Sequence, residues 1–251
     1  MGTLTKDLDR PGPRESDWTD WLCEHTSEVS LDRLIPPDSR VVVVAPHPDD
    51  ELLGIGGILA NAVAAHRPLS IIAVTDGTAS HPGSRIWTPR RLAITRRRES
   101  RRGLARLGAA SAHIVRLGFE DGHVARREAT LERVLRRRLI RGDVVFTTWR
   151  DDGHPDHEAV GRAAERASRA NGCTLIEVPV WTWTWSHPGD RRVPWSRACK
   201  VALDERTVES KRAGIAAHRT QMRADASSGR PPVLGPASVK RFLRMFEVVL
   251  R

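Results

Sequence analysis

The chain has 251 residues, 39% hydrophobic and 29% charged, enough for one sizeable buried core, and it holds no apolar run of about 20 residues that could cross a membrane. Its net charge is +10, but lysine occurs only at Lys6, Lys200, Lys211 and Lys240, and the arginines spread along helical patterns instead of gathering beside aromatics, which argues against nucleic-acid binding. Cys23, Cys173 and Cys199 are too far apart to form a disulfide framework or a cysteine zinc site, and the N-terminus lacks the apolar stretch of a signal peptide, so a cytoplasmic protein is expected.

Residues 1–18, polar and carrying Pro11 and Pro13, read as a flexible extension, with one domain over 19–251. Val41 to Ala45 is a β-branched run without polar alternation, as in a strand buried on both faces. Leu52 to Ala65 reads as a helix, Leu69 to Val74 as a second buried strand, and Pro89 to Leu107 as a long helix ending at Gly108. Ala112 to Leu117 gives a third strand. Thr130 to Ile140 is a helix with Leu131, Val134, Leu135 and Leu139 on one face. Val144 to Thr148 is a fourth strand, Glu158 to Ala170 a helix and Leu175 to Val180 a fifth strand. A polar helix at Glu209 to His218 and an apolar stretch, Phe242 to Leu250, complete the pattern. Alternating strands and helices predict an α/β fold: a Rossmann-like, doubly wound, mostly parallel sheet with helices on both faces. Sites in such sheets lie at the carboxyl ends of strands.

Two polar segments occupy that position. Pro46-His47-Pro48-Asp49-Asp50-Glu51 follows the first strand, and Trp149 to His157, ending His154-Pro155-Asp156-His157, follows the fourth. Imidazole and carboxylate together suit a borderline cation such as zinc, and a catalytic zinc needs about three protein ligands and an open position. His47, Asp50 and His157 can supply a His, Asp, His set. Asp49 is then left over as a general base, and His154 as a proton donor or oxyanion stabiliser oriented by Asp156. The competing explanation is that Asp49 or Asp50 merely caps the following helix. Gly54-Ile55-Gly56-Gly57 lies inside a helix, where glycine permits close packing, and is no dinucleotide fingerprint. If Trp181 to Trp185 is extended, its indoles share one face, either as a platform for a sugar ring that includes Trp181 and Trp183 or as core. His81 and His187, each before proline, read as loop histidines. The run 219–236, rich in Ser, Gly, Pro and Arg, is either a loop over the site or a linker.

These motifs resemble the LmbE-like/PIG-L family of N-acetylglucosaminyl deacetylases. The resemblance rests on Ala45 to Glu51 with Gly56-Gly57, on Thr75-Asp76-Gly77, on Arg96 with Glu99, on Leu107-Gly108, and on His154 to His157. Leu117 to Gly122 and Lys211 to Gln221 extend it, so that it covers Val41 to Gln221. It implies a Rossmann-like fold with zinc on His47, Asp50 and His157, Asp49 as base and His154 as acid or oxyanion stabiliser. It also implies contacts from Arg96 and Asp121 to a small amino-sugar substrate, whose acetamide is hydrolysed to free amine and acetate. Leu52 and Glu120 depart from the commoner threonine and proline and touch no proposed ligand. A His/Asp/His set also accepts iron or cobalt. An amidase for a larger acyl group, on a sugar or thiol conjugate, uses the same motif. A basic nucleic-acid-binding protein without catalysis would leave the ligand set unexplained. A homo-oligomer is left open by the sequence.

Overall fold

The computed structural model describes residues 12–251. Helix α1 (Glu15–His25), strand β1 (Ser27–Glu28) and the short α2 (Leu31–Leu34) lead into strand β2 (Val41–Ala45). Helix α3 (Asp50–Ala64), strand β3 (Leu69–Thr75), helix α4 (Pro89–Arg106), strand β4 (His113–Phe119) and helix α5 (Glu128–Arg136) follow. Next come strand β5 (Val144–Thr148), helix α6 (Pro155–Asn171), strand β6 (Thr174–Val178), the one-turn helix α7 (Thr182–Trp185) and strand β7 (Ala198–Ala202). Helices α8 (Glu205–Ala216), α9 (Arg219–Met222) and α10 (Pro236–Arg241) precede strand β8 (Phe246–Leu250).

One eight-stranded sheet runs in the order β1-β7-β8-β6-β5-β2-β3-β4. All pairings are parallel except those of β8, which is antiparallel to β6 and β7. The expected doubly wound architecture is thus borne out. Strand β2 shows why its residues lack polar alternation. Val41, Val43 and Ala45 enter the core under α3 and α8, whereas Val42 and Val44 enter the core under α5 and α6. The chain winds outward from β2 through β3 to β4, then returns to β5 on the other side of β2. The loops after β2 and β5 therefore diverge at the point where the winding direction reverses, which opens a crevice.

Two sequence expectations change. Glu15 to Trp18, predicted to be flexible, belong to α1, and Trp18 is fully buried against Trp183 and Trp195; residues 1–11 lie outside the described part. The tryptophan segment is a helical turn and not a strand, for a reason that emerges at the site. The glycines of α3 do serve close packing. A Cβ on Gly54 or Gly57 would meet Val178 Cγ1 or Leu203 Cδ1 at 2.5 Å. The helix is interrupted at Ile55, and the buried N–H groups of Gly57 and Ile58 both donate to Glu247 of β8 at 2.7 Å. The buried Lys211 ammonium neutralises that carboxylate at 2.6 Å.

Candidate metal centre and active-site cavity

After β2, the chain turns sharply through His47 to Asp50. The Asp49 and Asp50 N–H groups donate to the His47 carbonyl, and Asp50 Oδ2 accepts from the His47 N–H at 2.9 Å. This local bond sets the Asp50 carboxylate beside the His47 ring. After β5, His154 begins α6, and its Nδ1 accepts from the Asp156 N–H at 3.2 Å. His157 lies one turn further on and points back toward β2. Because β2 and β5 pair in register, from Val41 with Val144 to Val44 with Thr147, the two loops leave the sheet at the same level and meet.

His47 Nδ1, Asp50 Oδ2 and His157 Nε2 form a triangle with sides of 3.2, 3.3 and 3.3 Å. A tetrahedral ion with bonds of 2.0–2.1 Å holds its ligand atoms ~3.3 Å apart, so this donor set fits a zinc-like ion. Two other groupings that could hold an ion share His47, one with His154 and His157 and one with Asp121 and Asp156. The tautomers favour the compact triangle. His157 Nδ1 lies 2.8 Å from Asp152 Oδ2; an ionised carboxylate can only accept, so Nδ1 carries the proton and Nε2 offers its lone pair. His47 Nε2 in turn faces Asp121 at 3.1 Å and Asp156 at 3.4 Å, leaving Nδ1 for the triangle. Burial alone would lower both imidazoles. The surrounding carboxylates outweigh it, raising His157 to about 9 and His47 well above its ordinary value. The cluster therefore calls for positive charge, from protons or from a cation.

Asp49 lies next to this triangle. Its Oδ1 accepts from Arg96 Nη2 at 3.0 Å, and burial raises its pKa to about 6 against the pull of that guanidinium. Arg96 is itself buried and also donates to the carbonyls of Gly77 and Pro48, at 2.9 and 3.3 Å. The Gly77 backbone has φ +65°, and a Cβ there would fall 1.7 Å from Arg96 Nη1, so glycine is required for this approach. Burial, reinforced by the neighbouring His157 and His47, holds His154 down at about 3. It is neutral, and since Nδ1 accepts from the backbone, its proton is on Nε2.

Of the remaining expected site residues, Arg96 and Asp121 both line the cavity. Asp121 borders the cavity, but its carboxylate is held by His47 and by the Ala79 N–H at 2.6 Å. Arg96 positions Asp49. Asp156 does not orient His154 through its carboxylate, which accepts from His47 and from the Gly122 and Val124 N–H groups at 2.7 and 3.1 Å. Trp181 lines the cavity, and its ring stacks beside His154 with centroids 6.2 Å apart. Trp183 points the other way, buried against Trp18 with its Nε1 on the Pro179 carbonyl, and it does not border the cavity.

Asp152 is the residue that sequence reasoning passed over. Fully buried, it also accepts from the N–H groups of Val180, Trp181 and Thr182, each at 2.9 Å, and from the Thr182 hydroxyl at 2.5 Å. This convergence on one carboxylate curls the tryptophan segment into the helical turn α7 instead of a strand. Asp152 could have been noticed as a second Asp-Asp pair, Asp151-Asp152, that mirrors Asp49-Asp50. The cavity, of about 180 Å³, is completed from the C-terminal part by Gln221, Val233, Leu234, Ser238 and Phe242. The 219–236 run is thus folded against the site: the Leu234 N–H donates to the Gln221 carbonyl at 2.9 Å, and Asp225 bridges to Arg230.

Among solved structures, the chain is similar to a conserved protein of Thermus thermophilus, at 27% identity and TM-score 0.57, covering 81% of this chain and 84% of that one. It shares its fold with the N,N'-diacetylchitobiose deacetylase of Pyrococcus horikoshii, at 21% identity and TM-score 0.56, covering 73% and 71%. The zinc-inhibited form of teicoplanin deacetylase shares it too, at 18% identity and TM-score 0.58, covering 73% and 85%. The curated proteins give no match. A family model described as PIG-L, GlcNAc-PI de-N-acetylase, matches residues 42–168, half of the chain and all of the triangle. The chain therefore belongs to the PIG-L family of deacetylases, hydrolases of an amide bond.

Proposed function

We propose that the protein is a zinc-dependent N-deacetylase that releases acetate from an N-acetylglucosaminyl-type substrate, and that His47, Asp50 and His157 hold the ion. The observation that carries this reading is the donor triangle of His47, Asp50 and His157, with its zinc-like spacing, flanked by Asp49 and His154. A zinc ion bound there supplies Lewis acidity, which acidifies a water molecule and polarises the amide carbonyl. Asp49 accepts the proton of the attacking water. Its burial makes it a stronger base than an exposed carboxylate, while Arg96 holds it in place. The neutral His154 presents Nε2–H toward the cavity, where it stabilises the negative charge that develops on the carbonyl oxygen. The proton taken up by Asp49 then goes to the departing amine, so that the base of the first step is the acid of the second. Trp181, beside His154, offers a face on which a sugar ring can stack.

The test is the metal content of the purified protein, together with acetate release from N-acetylglucosaminyl substrates before and after chelation. One zinc per chain and release that is lost on chelation and restored by zinc are expected. A protein that binds neither zinc, iron nor cobalt would overturn the metal assignment. Zinc without acetate release would favour an amidase acting on a larger acyl group.

A further inference from the structure

The polar side chains that line the cavity are mostly committed to one another. Asp121 is taken by His47 and Ala79, and Arg96 by Asp49 and two carbonyls. Ser80 Oγ contacts the Gly77 carbonyl and His81 Nδ1. The Thr184 hydroxyl donates to the Trp181 carbonyl and Gln221 Nε2 to Thr220 Oγ1. Besides Asp49 and His154, which the hydrolysis itself needs, the side-chain groups lining the space and not bonded to one another are the Ser238 hydroxyl and the Gln221 amide oxygen. Few remain to satisfy the hydroxyls of a bare sugar.

The opposite wall is apolar and continuous. It is made by Leu53, one turn beyond the Asp49-Asp50 pair, with Val180, Trp181, Phe242, Leu234 and Val233. Val233, which lines the cavity, is 38% exposed, so part of this wall is open to solvent. The whole cavity, polar end included, is about 180 Å³, little more than the ~150 Å³ that accommodates a benzene ring, so only a small apolar group fits inside it.

We propose that the substrate carries an apolar substituent, of the size of one ring or a short alkyl chain, that lies on this wall, and that its burial rather than sugar hydrogen bonding provides most of the recognition. This rests on the reading of the site as an amide hydrolase. The substituent sits either on the amine side, as an aglycone, or on the acyl side.

The zinc-loaded protein is assayed for kcat/KM on N-acetylglucosamine, its phenyl and hexyl β-glycosides, and N-hexanoylglucosamine. A preference of roughly 10- to 100-fold for an apolar derivative is expected; the glycosides rising places the group on the amine side, the hexanoyl amide rising places it on the acyl side. Val233→Ser and Leu234→Ser are expected to shrink that ratio. Val233 is 38% exposed and Leu234 5%, so Val233→Ser disturbs the core less and keeps the test readable. Cleavage of all four substrates with equal kcat/KM would overturn this inference and leave the hydrolase standing. If no amide is cleaved, the hydrolase reading fails instead, and calorimetric binding of hexyl β-glucoside, which has no amide, decides the wall: uptake weakened by Val233→Ser supports it, and no uptake at millimolar concentration overturns it.

Discussion

Asp152→Asn is the most informative single change, because it keeps shape and removes only charge. Asp152 Oδ2 accepts from His157 Nδ1 and the Trp181 N–H, whereas Oδ1 accepts from the Val180 N–H and both Thr182 donors. An asparagine must place its NH₂ on one side. Facing His157 loses the Trp181 N–H bond, since the ring can accept at Nδ1 by moving its proton to Nε2, whereas facing Thr182 loses the Val180 and Thr182 N–H bonds, so the amide turns toward His157. Each lost bond to a charged acceptor is worth ~1.5–3 kcal/mol, partly offset because a buried charge is removed. A net loss of about 1–2 kcal/mol follows, lowering Tm by roughly 2–8 °C in a domain of this size. The donor facing Nδ1 also drives His157 toward the tautomer with its proton on Nε2, which cannot ligate. Metal affinity should then fall by ~10- to 100-fold. Competition with a chromogenic chelator measures it on the folded protein, and thermal denaturation is recorded alongside. A variant that is less stable yet binds zinc within about twofold of the original would refute the tautomer argument and leave Asp152 a purely structural anchor.

Asp49→Asn retains an acceptor for Arg96 and should bind metal normally while turnover drops by ~10²- to 10⁴-fold; near-original turnover would remove Asp49 from the base role. His157→Ala should lose the metal itself, seen as a fall in zinc content of the folded protein. His154→Phe keeps an aromatic ring beside Trp181 but has no donor, so kcat should fall by ~10²- to 10³-fold with zinc content unchanged; an equal fall in zinc content would make His154 a ligand. The surrounding carboxylates raise His157 to about 9 and His47 well above its ordinary value, so at pH 7 both imidazoles hold protons that a cation must expel. Zinc binding should release about two protons and strengthen steeply as pH rises from 6 to 8. Calorimetry in buffers of different ionisation enthalpy counts these protons, and a pH-independent affinity would contradict the raised values.

The sheet and the core of the site were legible in the sequence because both depend on short-range order. The unbroken β-branched run Val41 to Val44 can only be a strand buried on both faces, and parallel pairing then requires a loop after it. His47 and Asp50 are joined by a local turn, and His154 to His157 by the first turn of a helix, so their spacing already fixed which groups could point together. Their placement after two strands of a doubly wound pattern implied that the loops would meet. What depended on long-range contacts was not legible. Whether Trp181 to Trp185 extends or coils is decided by Asp152, about 30 residues earlier, which gathers its N–H groups. Trp18 lies in a polar stretch with no apolar period, and it is core only because Trp183 and Trp195 come to meet it. Arg96 and Asp121 carry chemistry that suits a substrate as well as a neighbour, and only the fold shows their charges engaged by Asp49 and His47. Composition and periodicity record which residues prefer burial. Which partner satisfies a buried charge is settled by distance in three dimensions, and the apolar wall from Leu53 to Phe242 exists only once α3, α7 and the C-terminal segment have been folded around one cavity.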